Sequence, residues 1–193
     1  MKKLVSLFIV VIILMTGCSI KKESEVTDAE KFAVEYSVDE KNPFKYASID
    51  EVLDIFNNGN GIVFFANSDN ELCVEVTKIL LEALDSKNIE DVYYYNPQVI
   101  RDNNTDDYNK LIDIIEDYLP LNDNLEPYLF LPDVYFVRDG KIIGHNNDVA
   151  TIKGTIDDIL TEKRKKQLKN KYLELINSYN SVEWLAGHSF FLI

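Results

Sequence analysis

The segment GIVFFANSDNELCVEV, residues 61–76, restricts how this chain can fold more than any other stretch. Its apolar run from Ile62 to Ala66 is bounded by glycine and polar residues, which is typical of a strand buried inside a sheet. A helix is predicted over residues 70–86, because leucine, valine and alanine recur there at helical spacing. A buried strand that leads directly into an amphipathic helix indicates an α/β domain.

Further strand and helix patterns precede and follow this unit. Residues 31–38 are predicted as a first strand, and the aromatic-rich residues 90–96 as a later one. Between the first strand and the buried strand, Ser48 with Glu51 three residues on forms a capping box. This pair predicts a helix that ends at Gly59.

The C-terminal half is predicted to add a helix, a hairpin and a second helix, at residues 105–118, 132–146 and 152–179. The hairpin turn is Asp139-Gly140, a strong turn signal between two strands. Gly154 is expected to break or bend the last helix. The element order predicts one α/β domain over residues 32–180, with helices on both faces of a central mixed sheet.

Residues 1–17 have the features of a secretory signal peptide. Lys2 and Lys3 give a positive start, and residues 4–15 form an apolar stretch that is shorter than the roughly 17–25 residues of a bilayer span. The following Cys18, preceded by glycine, resembles the lipobox of bacterial lipoproteins, in which this cysteine is lipidated and begins the mature chain. The alternative is an ordinary signal peptide that happens to contain Cys18.

Charge and composition define the expected location further. Residues 18–31 are polar and charged, which predicts a flexible tether behind the lipidated Cys18. The formal net charge of −13 argues against nucleic-acid binding and against adhesion to an anionic bilayer, so the lipid would have to anchor the protein at the outer face of the cell membrane. Residues 181–193 form an apolar C-terminal tail that either packs on the domain or binds a partner.

The segment LFLPDVYFVRDGKIIG, residues 129–144, together with the element order, resembles the thioredoxin superfamily. In that family a strand leads into a C-x-x-C motif at a helix start, and a cis-proline later opens the strand that packs against it. Pro132 falls at the cis-proline position, which implies that the amide of Leu131 can pair with a bound peptide. The acidic helical insertion before Pro132 is similar to lipid-anchored thioredoxin-like proteins of Gram-positive bacteria, including bacteriocin transport accessory proteins.

The redox motif departs from the family pattern. Asn70 stands where the attacking cysteine would be, and Cys73 stands at the inner, resolving position. A dithiol cycle needs both thiols, so it cannot close within one chain. Asp69, Glu71 and Glu75 are expected to raise the pKa of Cys73. Helical spacing predicts that Cys73 is buried and inert, behaving as a small apolar residue.

No metal ion or other cofactor is predicted. Residues 102–113 place oxygen ligands at calcium-loop spacing, but Asp107 occupies the position that requires glycine, so helix capping explains the segment better. His145 and His188 have no partner ligand near them in the sequence.

The resemblance implies a membrane-anchored extracytoplasmic protein without a complete redox cycle. It would bind a peptide or protein partner in the groove beside Leu131 and Pro132. The alternative is a thiol–disulfide oxidoreductase that acts as a monothiol through Cys73, with a second protein resolving the mixed disulfide. The sequence leaves open the identity of the partner, the oligomeric state and any link to a bacteriocin system.

Overall fold

The computed structural model describes residues 26–188, with side chains described up to residue 181. The predicted signal peptide, the lipidation of Cys18 and the first part of the tether lie outside the described residues, as does the end of the apolar tail. Within the described range, no helix combines the length and the apolar character that a membrane span requires.

The described chain alternates helices and strands. Its seven α-helices are α1 (Asp28–Tyr36), α2 (Ile49–Asn58), α3 (Glu71–Asp85), α4 (Gln98–Asp102), α5 (Asp106–Ile115), α6 (Ile156–Ile159) and α7 (Glu162–His188). Its five strands are β1 (Phe44–Tyr46), β2 (Gly61–Phe65), β3 (Val92–Tyr95), β4 (Asp133–Arg138) and β5 (Lys141–Asn146). A 3-10 turn, Glu116–Tyr118, follows α5 directly.

The strands form one mixed sheet in the order β1-β3-β2-β4-β5. Strands β1, β3 and β2 are parallel, whereas β4 pairs antiparallel with both β2 and β5. Helices cover both faces: Phe65 stacks 6.2 Å from Phe56 of α2 on one face, and Phe136 lies 6.0 Å from Tyr179 of α7 on the other. The predicted α/β fold with a mixed sheet between helices is therefore confirmed.

Strand β2 lies at the centre of the core, and all five of its residues are buried. A strand that is covered on both faces has a continuous apolar sequence, which is the pattern that identified it. The hairpin at Asp139-Gly140 is also confirmed, since both turn residues have positive φ, 48° and 69°. Gly140 donates to the carbonyl of Gly59 at 2.9 Å, so the hairpin tip packs against the end of α2.

The prediction of a strand over residues 31–38 is wrong, because this segment belongs to helix α1. Thr27 caps the helix and forms a capping box with Glu30. The aromatic residues Phe32 and Tyr36, four positions apart, are both buried, whereas Val34 between them is 82% exposed. The ordered domain therefore begins before residue 32, within the predicted tether, and the first strand is the short β1 that the sequence analysis missed.

The C-terminal helix differs from its prediction at both ends. The single helix expected from Ile152 is divided into the one-turn α6 and the long α7, and Gly154 with φ 147° lies before both. At the other end, α7 continues to His188. It therefore runs past residue 180, where the sequence analysis placed the start of a separate tail.

Candidate functional site

The candidate site lies at the edge of the sheet where the parallel strands β2 and β3 end. Helices α2 and α3 cover opposite faces of the sheet, which makes this edge a topological switch point, where α/β proteins bind ligands. Three chain segments meet here. They are the loop from Ala66 to Asn70, the residues Asn96 and Pro97 after β3, and the residues Leu131 and Pro132 before β4.

Asn70 is the N-cap of helix α3. Its Oδ1 accepts a hydrogen bond of 2.9 Å from the N–H of Leu72, and its own N–H donates to the carbonyl of Asn67 at 3.0 Å. The position to which the resemblance assigns an attacking cysteine is thus occupied by a helix-capping amide. It offers no nucleophile.

Cys73 lies in the first turn of α3 and has no exposed surface, so its predicted burial is confirmed. Burial raises the pKa of the thiol to about 11. At that pKa only about one Cys73 in ten thousand is a thiolate at pH 7, and the thiolate is the form that attacks disulfides.

The expected cause of this raised pKa is wrong, although its direction is correct. Desolvation raises the pKa, and no nearby carboxylate contributes to the shift. Two groups act in the opposite direction and lower it, the backbone N–H of Asn67 and the guanidinium of Arg101. Asp69 and Glu71 are exposed to solvent, where their charges are screened.

Arg101 reaches this edge from α4 and was missed by the sequence analysis. Its Nη1 donates to the carbonyl of Leu129 at 3.2 Å, and its guanidinium lies 5.4 Å from the ring centroid of Tyr128. Asp102 forms an ion pair with the same guanidinium, with Nε and Oδ1 3.5 Å apart, and the arginine side chain is 17% exposed. Arg101 therefore fixes α4 against the segment that leads into Leu131.

Three carboxamides join the loop after β2 to the start of α4. Asn67 donates from Nδ2 to Gln98 at 2.5 Å, and its Oδ1 accepts from the N–H of Asp69 at 3.0 Å and from Asn96 at 3.4 Å. This network was also not predicted from the sequence. The sequence does contain an indication of the network, since Asn67 and Asn96 each lie within two residues of the end of a parallel strand.

Leu131 and Pro132 are joined by a cis peptide bond, as the resemblance stated above implies. Leu131 is only 7% exposed. Neither its N–H nor its carbonyl is hydrogen-bonded to any residue of the described range. Backbone polar groups in folded proteins are normally paired, so this residue leaves a donor and an acceptor for an incoming chain.

Asp133, the first residue of β4, is a buried acid that the sequence analysis did not single out. It is 1% exposed, and burial raises its pKa well above the usual value. Asn147 donates to its Oδ2 at 3.2 Å, but its Oδ1 has no hydrogen-bond partner in the described chain. The Tyr135 hydroxyl is directed at the carboxyl without reaching hydrogen-bond geometry.

The described residues include no group of three histidine, cysteine or acidic side chains that could hold a metal ion. Thr105 accepts from the N–H of Tyr108 at 3.2 Å, so the capping explanation of residues 102–113 is confirmed. His145 is stacked 5.4 Å from Tyr135, and its burial lowers its pKa. The side chain of His188 lies outside the described residues.

A cavity of about 670 Å³ is lined by Asn42, Pro43 and Asn88, at the opposite end of the sheet, and it does not reach the candidate site. The candidate site combines a capped helix start, the carboxamide network and the unpaired backbone of Leu131. It can donate and accept backbone hydrogen bonds, but it presents no activated nucleophile.

No protein-family model matches this chain, and no curated protein matches it either.

Proposed function

We propose that this protein is a lipid-anchored, extracytoplasmic thioredoxin-like protein that binds an extended peptide or protein segment beside Leu131. The observation that carries the proposal is the unpaired N–H and carbonyl of Leu131 next to the capped start of α3. An extended segment can pair with these two groups as a further strand does. The strand order β1-β3-β2-β4-β5 supports the thioredoxin-like assignment, together with the cis bond before Pro132.

The same site supports binding without a complete redox cycle. Asn70 supplies a helix cap where a dithiol enzyme needs its attacking thiol. Cys73 is buried, and its raised pKa leaves it almost entirely protonated. Release of a mixed disulfide also needs a second thiol, and the described residues contain only Cys73.

The position of α1 gives the site an orientation relative to the proposed anchor. The N–H of Tyr46, the last residue of β1, donates to Asp28 in the first turn of α1 at 3.0 Å. The start of α1 therefore lies at the same edge of the sheet as the candidate site. If Cys18 carries the lipid, the eight residues between it and Thr27 span at most about 30 Å, which keeps this edge close to the membrane.

A peptide selection with mapping of the bound site tests this proposal. The full chain in neutral bicelles would be screened against a displayed library of random heptapeptides, and the selected peptides would be mapped by amide NMR. We expect the Leu131 and Leu72 amides to shift and the hydrogen exchange of the Leu131 amide to slow. Asp69→Trp, which fills the space beside the helix start, should weaken binding by about tenfold or more.

Asp85→Trp provides the matched control, because this exposed residue ends α3 at the other edge of the sheet. It should leave the affinity unchanged. Shifts confined to the opposite end of the sheet, or equal weakening by both tryptophan variants, would show that the partner does not bind beside Leu131.

The alternative function is a monothiol oxidoreductase that uses Cys73. This alternative is favoured by one observation, that Arg101 and the N–H of Asn67 both lower the pKa of the Cys73 thiol. Alkylation of the Cys18→Ser chain by iodoacetamide separates the two functions. Under the binding proposal, native protein reacts only as fast as it unfolds, whereas fast reaction of folded protein would establish the alternative.

A further inference from the structure

A tight turn in the segment between β3 and β4 is held by one asparagine. Asn122 donates from its N–H to the carbonyl of Glu126 at 2.9 Å, and its carbonyl accepts from the N–H of Leu125 at 3.0 Å. Its side-chain Oδ1 accepts from the N–H of Asn124 at 2.8 Å and from that of Glu126 at 3.1 Å. Leu121 and Pro127 pair at the base of the turn, which fixes its conformation.

Leu125 is an unusual residue for this turn. Its φ of 64° lies in the left-handed region, which glycine and asparagine adopt readily and a leucine does not. Its side chain is 78% exposed and belongs to no part of the hydrophobic core, so packing within the domain does not offset the unfavourable backbone. Folding therefore gives no reason for a leucine at this position.

Two further apolar side chains close to Leu125 in the sequence are exposed. Leu121, at the base of the same turn, is 55% exposed, and Tyr118 shortly before it is 37% exposed. A single exposed leucine is ordinary on a protein surface. Here two leucines are presented by one fixed turn, and we name residues 121–127 the Leu125 turn.

The surroundings of the Leu125 turn are acidic. The segment between β3 and β4 that carries this turn, residues 97–130, contains eight acidic and two basic residues, which gives a net charge of −6. Both basic residues are already paired, Arg101 with Asp102 and Lys110 with Asp107. No lysine or arginine occurs from residue 111 to residue 137.

We propose that the Leu125 turn is a docking surface for a partner protein that presents an apolar pocket rimmed by lysine or arginine. Leu125 enters the pocket, and the acidic side chains Asp123 and Glu126 on either side face the basic rim. Anchors of this kind dominate interface energies when they are held ready in the free protein. Complementary charge then selects the partner and speeds association.

The same charges disfavour two other occupants. An anionic bilayer would repel the acidic insertion, and a second copy of this chain would bring like charges together. This docking surface is separate from the backbone groups of Leu131. It does not depend on the thioredoxin-like assignment or on lipidation of Cys18.

Two variants separate docking from folding. Leu125→Asn places a residue that tolerates positive φ in the turn, so the fold is retained while the apolar anchor is lost. Val34→Asn removes an equally exposed apolar side chain from α1, far along the chain from the insertion, and serves as the matched control. Thermal unfolding of both variants should match or exceed that of the parent protein.

The probe is a short synthetic amphipathic peptide with leucine on one face and lysine on the other. A second peptide carries glutamate in place of lysine. Binding to the full chain in neutral phosphatidylcholine bicelles is followed by fluorescence anisotropy and amide NMR. We expect the lysine peptide to shift the amide signals of the Leu125 turn. Leu125→Asn should weaken the affinity for this peptide by about tenfold or more, whereas Val34→Asn should leave the affinity unchanged.

Added salt should weaken the binding of the lysine peptide, and the glutamate peptide should not bind. Equal affinity of the parent and Leu125→Asn, or shifts that map outside the turn, would overturn the proposal. The proposal would also be overturned if phosphatidylglycerol in the bicelles shifted the amide signals of the Leu125 turn in the absence of peptide. That result would show that the turn contacts the membrane. A sedimentation change that depends on Leu125 would assign it to a second copy and would overturn the proposal as well.

Discussion

The guanidinium of Arg101 donates a 3.2 Å hydrogen bond to the carbonyl of Leu129, two residues before the unpaired backbone of Leu131. This contact connects the short helix α4 with the segment that enters β4. It also places a positive charge near Cys73, where it partly opposes the effect of burial on the thiol. One side chain of the insertion thus acts on both the position of Leu131 and the chemistry of Cys73.

Arg101→Met should remove this contact while keeping much of the apolar stem. A hydrogen bond from a charged donor contributes about 1.5–3 kcal/mol, so the free energy of unfolding should fall by about that amount. Lys110→Met is the control, because its pair with Asp107 is exposed and screened by solvent, so its loss should hardly change the free energy of unfolding. Urea unfolding measures both variants, and an equal effect would show that the Leu129 contact has no special role.

Asn70→Cys should create the dithiol pair that the thioredoxin-like assignment implies. The variant loses a helix cap, which costs about 1 kcal/mol, but it gains a thiol three residues before Cys73 at the start of α3. We expect it to reduce insulin disulfides, which the parent protein should not do. Asp69→Cys adds a thiol at the wrong spacing and should remain inactive, whereas an inactive, folded Asn70→Cys would contradict the assignment.

Asp133 should make stability fall as the pH rises. Burial raises its folded-state pKa above the unfolded value, so the folded protein holds the proton more tightly. Its contribution is therefore complete at acid pH and is lost as the pH rises through the folded pKa. Asp133→Asn should remove this slope and be more stable than the parent at about pH 8, while Asp123→Asn at an exposed site should not. Thermal unfolding across pH measures both, and an unchanged slope in Asp133→Asn would place the titration elsewhere.

Much of the site follows from local patterns. The apolar run before Ala66 predicts the central strand, helical spacing predicts that Cys73 is buried, and the strand pattern after Pro132 predicts the hairpin. Arg101 and the contact of Asn67 with Gln98 were not predicted, since the insertion brings them to the site only through tertiary packing. The raised pKa of Cys73 was attributed to the neighbouring acids, because a sequence shows which charges are adjacent along the chain. It does not show how far the folded protein desolvates the thiol.

The prediction of a strand over residues 31–38 was wrong for a different physical reason. In KFAVEYSV the apolar residues fit both a period of two and a period near four, and β-branched and aromatic residues favoured the strand. The capping box of Thr27 and Glu30 favours the helix, but it lies in the segment that was predicted to be a tether. A short apolar run is therefore assigned better when the polar residues before it are examined for caps.

Substitutions in α1 distinguish its helical structure from the strand pattern. A strand would place Phe32, Val34 and Tyr36 on one buried face, so each would be costly to replace. In the helix, Phe32 is buried between the rings of Tyr36 and Phe44, at 4.3 and 3.9 Å, while Val34 faces solvent. Phe32→Ala should then cost about 3–5 kcal/mol and Val34→Ala less than about 0.5 kcal/mol in urea unfolding. Comparable losses for the two variants would mean that α1 does not pack on the sheet through this helical face.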